Sequence, residues 1–236
     1  MKQFVYLFIV WQIAAMLIGR NIFPQPIYVL QAFTVCYMDI IIHSFYSIFR
    51  IFSGVFLALA VGLPIGILLG YNPKFDKLLS PYVYIISPIP KIALLPIIML
   101  FLGIGEASKM FIIFFIMLFQ VIVSVRDSVK NISPEYFVPY YTIKAPIKWI
   151  IKDILLPASY ADIFTSLRVG LATSISVLFF TETFGTKYGL GFFIMDSWVR
   201  VNYTQMYLGI LCLGLIGFLL VVFIDKLEYK ICKWRQ

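Results

Sequence analysis

The sequence predicts an all-α protein: a polytopic bundle of six membrane-spanning helices, with an amphipathic helical segment between the fourth and the fifth. Three observations carry that prediction. First, 62% of the 236 residues are hydrophobic and only 13% are charged, against about 45–50% and about 25% in soluble domains. The mean hydropathy is +0.97, more apolar surface than a soluble chain of this size can hide. Second, uncharged stretches recur at the length a bilayer demands, roughly 20 residues. Third, Lys and Arg gather in alternate connections, the asymmetry of cytoplasmic loops. An ordinary soluble enzyme and a disordered tail are both excluded.

The spans follow from the charges in order. Residues 3–20 lie between Lys2 and Arg20 and lack a small-x-small cleavage site, so they are read as an uncleaved helix rather than a signal peptide. Span two is 48–71, built on the uncharged run between Arg50 and Lys74. Span three is 79–103, interrupted by Lys91. Span four is 107–126, ending at Arg126. Span five is 161–184 and span six is 204–225, ending at Asp225. Six spans put both termini on one side. If that side is the cytoplasm, the inner segments hold twelve Lys and Arg: Lys2, Lys74, Lys77, Arg126, Lys130, Lys144, Lys148, Lys152, Lys226, Lys230, Lys233 and Arg235. The outer segments hold four: Arg20, Lys109, Lys187 and Arg200. The bias sets the termini inside. It also accounts for the net charge of +8 without nucleic acid as a partner.

Two connections remain long, an outer one over 21–47 and an inner one over 127–160; a long ordered connection is a candidate functional element. The inner one opens on Ser133-Pro134-Glu135, a helix start. Pro139 and Pro146 divide it into short pieces. Lys144, Lys148 and Lys152 recur every fourth residue and should share a face, opposed by Ile143, Ile147, Ile150, Ile151 and Ile154. Such a segment either lies on anionic headgroups or docks a soluble partner.

Other residues stand out singly. Residues 87–96 hold Pro88, Pro90 and Pro96 inside a span, a break tolerated only against protein or a water-filled cavity. Ser87, Pro88, Pro90 and Lys91 are therefore candidates for a pathway lining, with a packing kink as the other reading. Lys91 either snorkels or pairs with an acid. Glu182 is a candidate for structural pairing, gating or substrate contact, beside a glycine turn that begins at Gly185. Arg168 reads as a pairing residue or a pathway cation, Arg50 as an interfacial anchor or a cation that attracts a passing anion, and His43 as a surface or interface histidine. Gly54, Gly62, Gly66 and Gly70 form a small-residue stripe, expected against span five or a second subunit. Pro64 should kink that helix. The three cysteines show no metal or disulfide spacing, and a single histidine excludes a histidine metal cluster within the chain.

The inner segment resembles the cytoplasmic loop of importer permeases of ATP-binding cassette (ABC) systems, which reads EAA, three residues, Gly, nine residues, Ile-x-Leu-Pro. Ile154, Leu156 and Pro157 match the second half, and Ser166-Leu167-Arg168 follows as a GLR-like element. The first half departs: Val138-Pro139-Tyr140 stand at the EAA positions and Lys144 at the glycine, followed by Ala145, Pro146 and Lys148. Ser87-Pro88-Ile89-Pro90-Lys91 through Pro96, Phe101 through Glu106, Glu182-Thr183-Phe184-Gly185, Gly189-Leu190-Gly191, Ser47-Ile48-Phe49-Arg50 with Gly54, and Trp11 through Phe23-Pro24-Gln25-Pro26 are similar to the nitrate/sulfonate/taurine branch. The resemblance implies a permease subunit in the inner membrane of a prokaryote, coupled through this loop to a cytoplasmic ATPase dimer. It also implies a second permease copy and an external solute-binding protein that delivers a small solute, an anion such as a sulfonate, taurine or nitrate. ATP and Mg would sit on the partner ATPase. The chain itself has no GxxxxGK[ST] loop and would bind no cofactor and catalyse nothing alone. An ATP-independent secondary transporter, or a degenerate accessory permease paired with a second one, is the alternative.

Overall fold

A computed structural model describes residues 2–18 and 22–233. Residues 19–21 and 234–236, with Arg20 and Arg235 of the charge count, lie outside the described residues. Ten α-helices are described: α1 Lys2–Ile18, α2 Pro26–Tyr71, α3 Pro73–Ile86, α4 Leu95–Leu102, α5 Glu106–Lys130, α6 Val138–Thr142, α7 Ile147–Ile150, α8 Leu156–Glu182, α9 Leu190–Val199 and α10 Tyr203–Ile231. No strand occurs among the described residues. Four helical runs are long and apolar enough to cross a bilayer: α2, α5, α7 with α8, and α10. A fifth is possible if the bent pair formed by α3 and the run Lys91–Leu102 counts as one span.

Three differences from the sequence reading have physical causes. Residues 26–47 are helix rather than connection. Pro26 opens the helix at a position where its missing N–H costs nothing, and no glycine or further proline interrupts until Gly54. The outer connection is only the remainder between the first two predicted spans. The backbone departs from helical angles at Cys36 (φ −117°, ψ 24°), while Pro64 keeps them. Second, span three is bent by 84° between Ile86 and Lys91. Third, helix runs from Ile147 to Glu182, so the latter part of the inner segment is continuous with the fifth predicted span. One π turn, Ile151–Leu155, sits just before Pro157; proline cannot donate to the preceding turn, and a widened turn absorbs the fault.

The glycine stripe fixes the centre of the bundle. A methyl group on Gly54, Gly62, Gly66 or Gly70 would lie 2.5–2.9 Å from Ile113, Val121, Val125 or Val129 respectively. Each partner lies fifty-nine positions later, so α2 and α5 run parallel and in constant register. The stripe thus packs on the fourth predicted span, not the fifth. Helix α8 returns antiparallel: Ser128 and Ser124 donate to the Ala158 and Asp162 carbonyls at 3.3 and 2.8 Å. Helix α10 is antiparallel to α8, with Gly217 against Ile175. Helix α5, with 25 residues, separates the two ends of this core by about 37 Å.

Candidate functional site

At one end a buried charge cluster ties α2, α5 and α8 together. Arg50 is fully buried. Its Nε and Nη2 donate to Glu106 Oε2 and Oε1, both at 2.6 Å. Its Nη1 donates to Glu182 Oε1 at 2.6 Å and to the Tyr188 carbonyl at 2.8 Å. Glu182, also fully buried, accepts from Ser47 Oγ at 2.8 Å and from the Gly191 N–H at 2.8 Å. Ser47 in turn accepts from the Leu190 N–H at 2.9 Å. Buried Lys109 donates to the Gly105 carbonyl at 3.1 Å. Two cations and two carboxylates cancel, the condition under which buried charges are tolerated. Gly189 closes the cluster at φ +131°, where a methyl group would stand 2.4 Å from the Glu182 carboxyl carbon. Gly185, at φ +56°, presses on Ile104.

Halfway along the core lies the bend. Pro88 and Pro90 bring no N–H and break the helix here, which leaves the Ser87 carbonyl at the turn. The Lys91 ammonium takes that carbonyl. Lys91 Nζ also stands 5.4 Å above the Phe119 ring. Phe119 is thirteen residues from one end of α5 and eleven from the other.

At the far end residues 131–157 cross the tips of α5 and α8. Val138, Pro139, Lys144, Pro146 and Lys148 are exposed, and Tyr140, Ala145, Leu156 and Pro157 half-buried. The Tyr140 hydroxyl donates to Asp153 Oδ2 at 3.3 Å. Partial desolvation and the Asp153 carboxylate hold that hydroxyl above its ordinary pKa. Lys144 has φ +51°. Its N–H donates to the Tyr141 carbonyl and the Ala145 N–H to the Tyr140 carbonyl, so it ends α6 in the left-handed conformation usual for glycine. Lys144 therefore lies outside the helix of Lys148 and Lys152, and the expected three-lysine face does not form. Ile143 and Ile147 are exposed, while Ile150 and Ile154 are buried. A groove of about 670 Å³ opens between Ser128, Asn131 and Tyr136 on one side and Asp153, Pro157 and Asp162 on the other.

This helical architecture has close counterparts. The family profile described as binding-protein-dependent transport system inner membrane component matches residues 62–231. The chain belongs to that family. The taurine transport system permease protein TauC of Escherichia coli (strain K12) is 28% identical, over 95% of this chain and 85% of its own length. The nitrate import permease protein NrtB of a Synechocystis strain is also 28% identical, over 98% and 87%. A solved structure of the MetNI methionine ABC transporter in an inward-facing conformation overlays with a TM-score of 0.69 at 20% identity, covering 79% of this chain and 93% of that one; at that identity it shows the fold alone. The chain is thus an ABC importer permease of the nitrate/sulfonate/taurine branch, a multi-pass membrane protein.

The permease gathers some expected residues and separates others. Glu182 is paired, as one of its readings had it. Arg168 is engaged by Asp225 at 2.9 Å and by Glu228, which fastens α8 to α10. Arg50 is not an interfacial anchor: it is the centre of the buried cluster. His43 is half-buried and accepts from the Gly189 N–H at 3.0 Å. Arg50 was missed because its partners lie 56 and 132 residues away; the available signal was an ionisable residue in a long apolar run.

Proposed function

We propose that this permease forms the translocation pathway of an ATP-driven importer for a small anion of the sulfonate, taurine or nitrate kind. Its six spans, α1 among them, put both termini in the cytoplasm. The exposed residues 138–148, with Leu156 and Pro157 behind them, seat in a groove of a cytoplasmic ATPase dimer that carries ATP and Mg. A second permease copy completes the pathway, and an external binding protein delivers solute at the Arg50 end. Because Glu182 and Arg168 are held in ion pairs, solute contact falls to the elbow of Ser87, Pro88, Pro90 and Lys91. Gly185 shapes the turn beside the cluster.

The family match over residues 62–231 carries this reading, since it spans the bend, the exposed segment and the last three long helices. Capture of the chain from native membranes in mild detergent should bring an ATPase in equal copy number. Recovery of the chain alone, in a detergent that preserves such complexes, would move the assignment to an ATP-independent transporter. A second, distinct permease would explain the departure from EAA at Val138, Pro139 and Tyr140. Tyr140→Asp and Lys144→Glu should abolish coupled uptake and leave the protein folded. Intact uptake and ATPase stimulation in both would overturn the docking role of the segment.

A further inference from the structure

Cations among the core helices of this permease mostly have carboxylate partners. Arg50 has Glu106 and Glu182, Arg126 has Asp76 and Asp127, and Arg168 has Asp225 and Glu228. Lys109 stands beside the balanced Arg50 cluster. Lys91 differs: its polar contact among the described residues is the Ser87 carbonyl. It lies level with Phe119, at the middle of α5, where an uncompensated charge is most costly. An ammonium carries three donors, so one bond to a carbonyl leaves two unused. Ser87 and Lys91 are half-buried, and Pro88, Ile89 and Pro90 are exposed, so the elbow is open on one side. The bend itself is a discontinuous span at mid-depth, the arrangement in which secondary transporters place solute.

We infer that Lys91 is the charge that meets the anionic group of the transported solute halfway across the membrane. The inference rests on the proposal that the elbow lines the pathway. Between transport events the Ser87 carbonyl holds the ammonium. An arriving sulfonate or nitrate supplies the missing counter-charge through its oxygens.

Removing the charge and removing the donor are separable. Lys91→Gln keeps an N–H for the Ser87 carbonyl and loses the charge; Lys91→Arg keeps both. The assembled transporter, with its ATPase and binding protein in proteoliposomes, is assayed for uptake of labelled taurine, nitrate and neutral formylaminopyrimidine. Lys91→Gln should lower the maximal rate for the anion about tenfold or more, the scale of one partly desolvated charge contact. The half-saturating concentration, set by the binding protein, and ATP hydrolysis without solute should stay unchanged, and Lys91→Arg should retain uptake. Equal anion uptake by Lys91→Gln and the unmodified transporter would show that Lys91 only caps the carbonyl and would overturn the inference. Uptake by the unmodified transporter of the neutral compound alone would overturn the anion reading and the inference with it. Uptake of none of the three would overturn the assigned solute class and the inference with it, and leave the family membership standing.

Discussion

The buried cluster around Arg50 and the mostly exposed segment 138–152 at the other end of this permease handle charge in opposite ways. At the Arg50 end, Arg50 and Glu182 are fully buried and tied together by hydrogen bonds, with half-exposed Glu106 closing the other side of the guanidinium. At the far end, Lys144, Lys148 and Lys152 are exposed, and a tyrosine and an aspartate meet at the 3.3 Å limit of a useful contact. A buried cluster so tied binds its helices to one another and has little left to offer a ligand. An open set of charges contributes little to folding and is free for a partner. The difference assigns stability to one end and exchange to the other.

The sharpest way to break that contrast is at Arg50. Arg50→Met leaves Glu182 buried without its cation, which should cost about 3–5 kcal/mol. Thermal unfolding in detergent would record a large fall in midpoint or loss of folded protein. The two carboxylates should not be equivalent. Glu106 keeps 43% of its side chain exposed and Glu182 none, so Glu182→Gln should destabilise clearly more than Glu106→Gln. Equal midpoints for the two variants would mean that burial does not set the strength of the cluster.

Packing along the core comes next. A methyl group on Gly66 would meet Val125 Cβ at 2.7 Å and the Ile122 carbonyl at 3.0 Å. One of those is backbone and cannot rotate away, so Gly66→Ala should cost about 1–3 kcal/mol. On α10, Gly214 has open space where its methyl would stand, and Gly214→Ala should raise the midpoint, through about 0.5–1 kcal/mol of lost unfolded-chain entropy. A matching loss in both variants would point to helix flexibility rather than the α2–α5 contact.

What the sequence disclosed divides along the same line. The glycine spacing showed a close helix contact, and three prolines in ten residues showed a broken span, because both signals are local. The partner of the stripe and the fate of Arg50 depend on residues more than fifty positions away, beyond any periodicity. The outer connection over 21–47 is mostly helix, because a helix can run on past the apolar length that a span requires. The special backbone at Lys144 was visible only through the family pattern, since lysine itself gives no sign of a left-handed turn.

The smallest expected effect on stability lies at Lys144, and it separates shape from charge. A side chain in the left-handed region costs roughly 1–2 kcal/mol, and glycine removes that strain. Glycine also raises the entropy of the unfolded chain, by roughly 0.5–1 kcal/mol. Lys144→Gly should therefore shift the unfolding midpoint only slightly, and upward. It preserves the turn after α6 that presents Tyr140 and Ala145, so coupled uptake should survive. Lys144→Glu keeps the strain and reverses the charge, and should lose uptake at an unchanged midpoint. Loss of uptake in both variants would make the lysine charge itself the contact with the ATPase. Survival in the glycine variant alone would mean that the family's glycine and this lysine serve one backbone shape, and that the far end tolerates a neutral surface but not an acidic one.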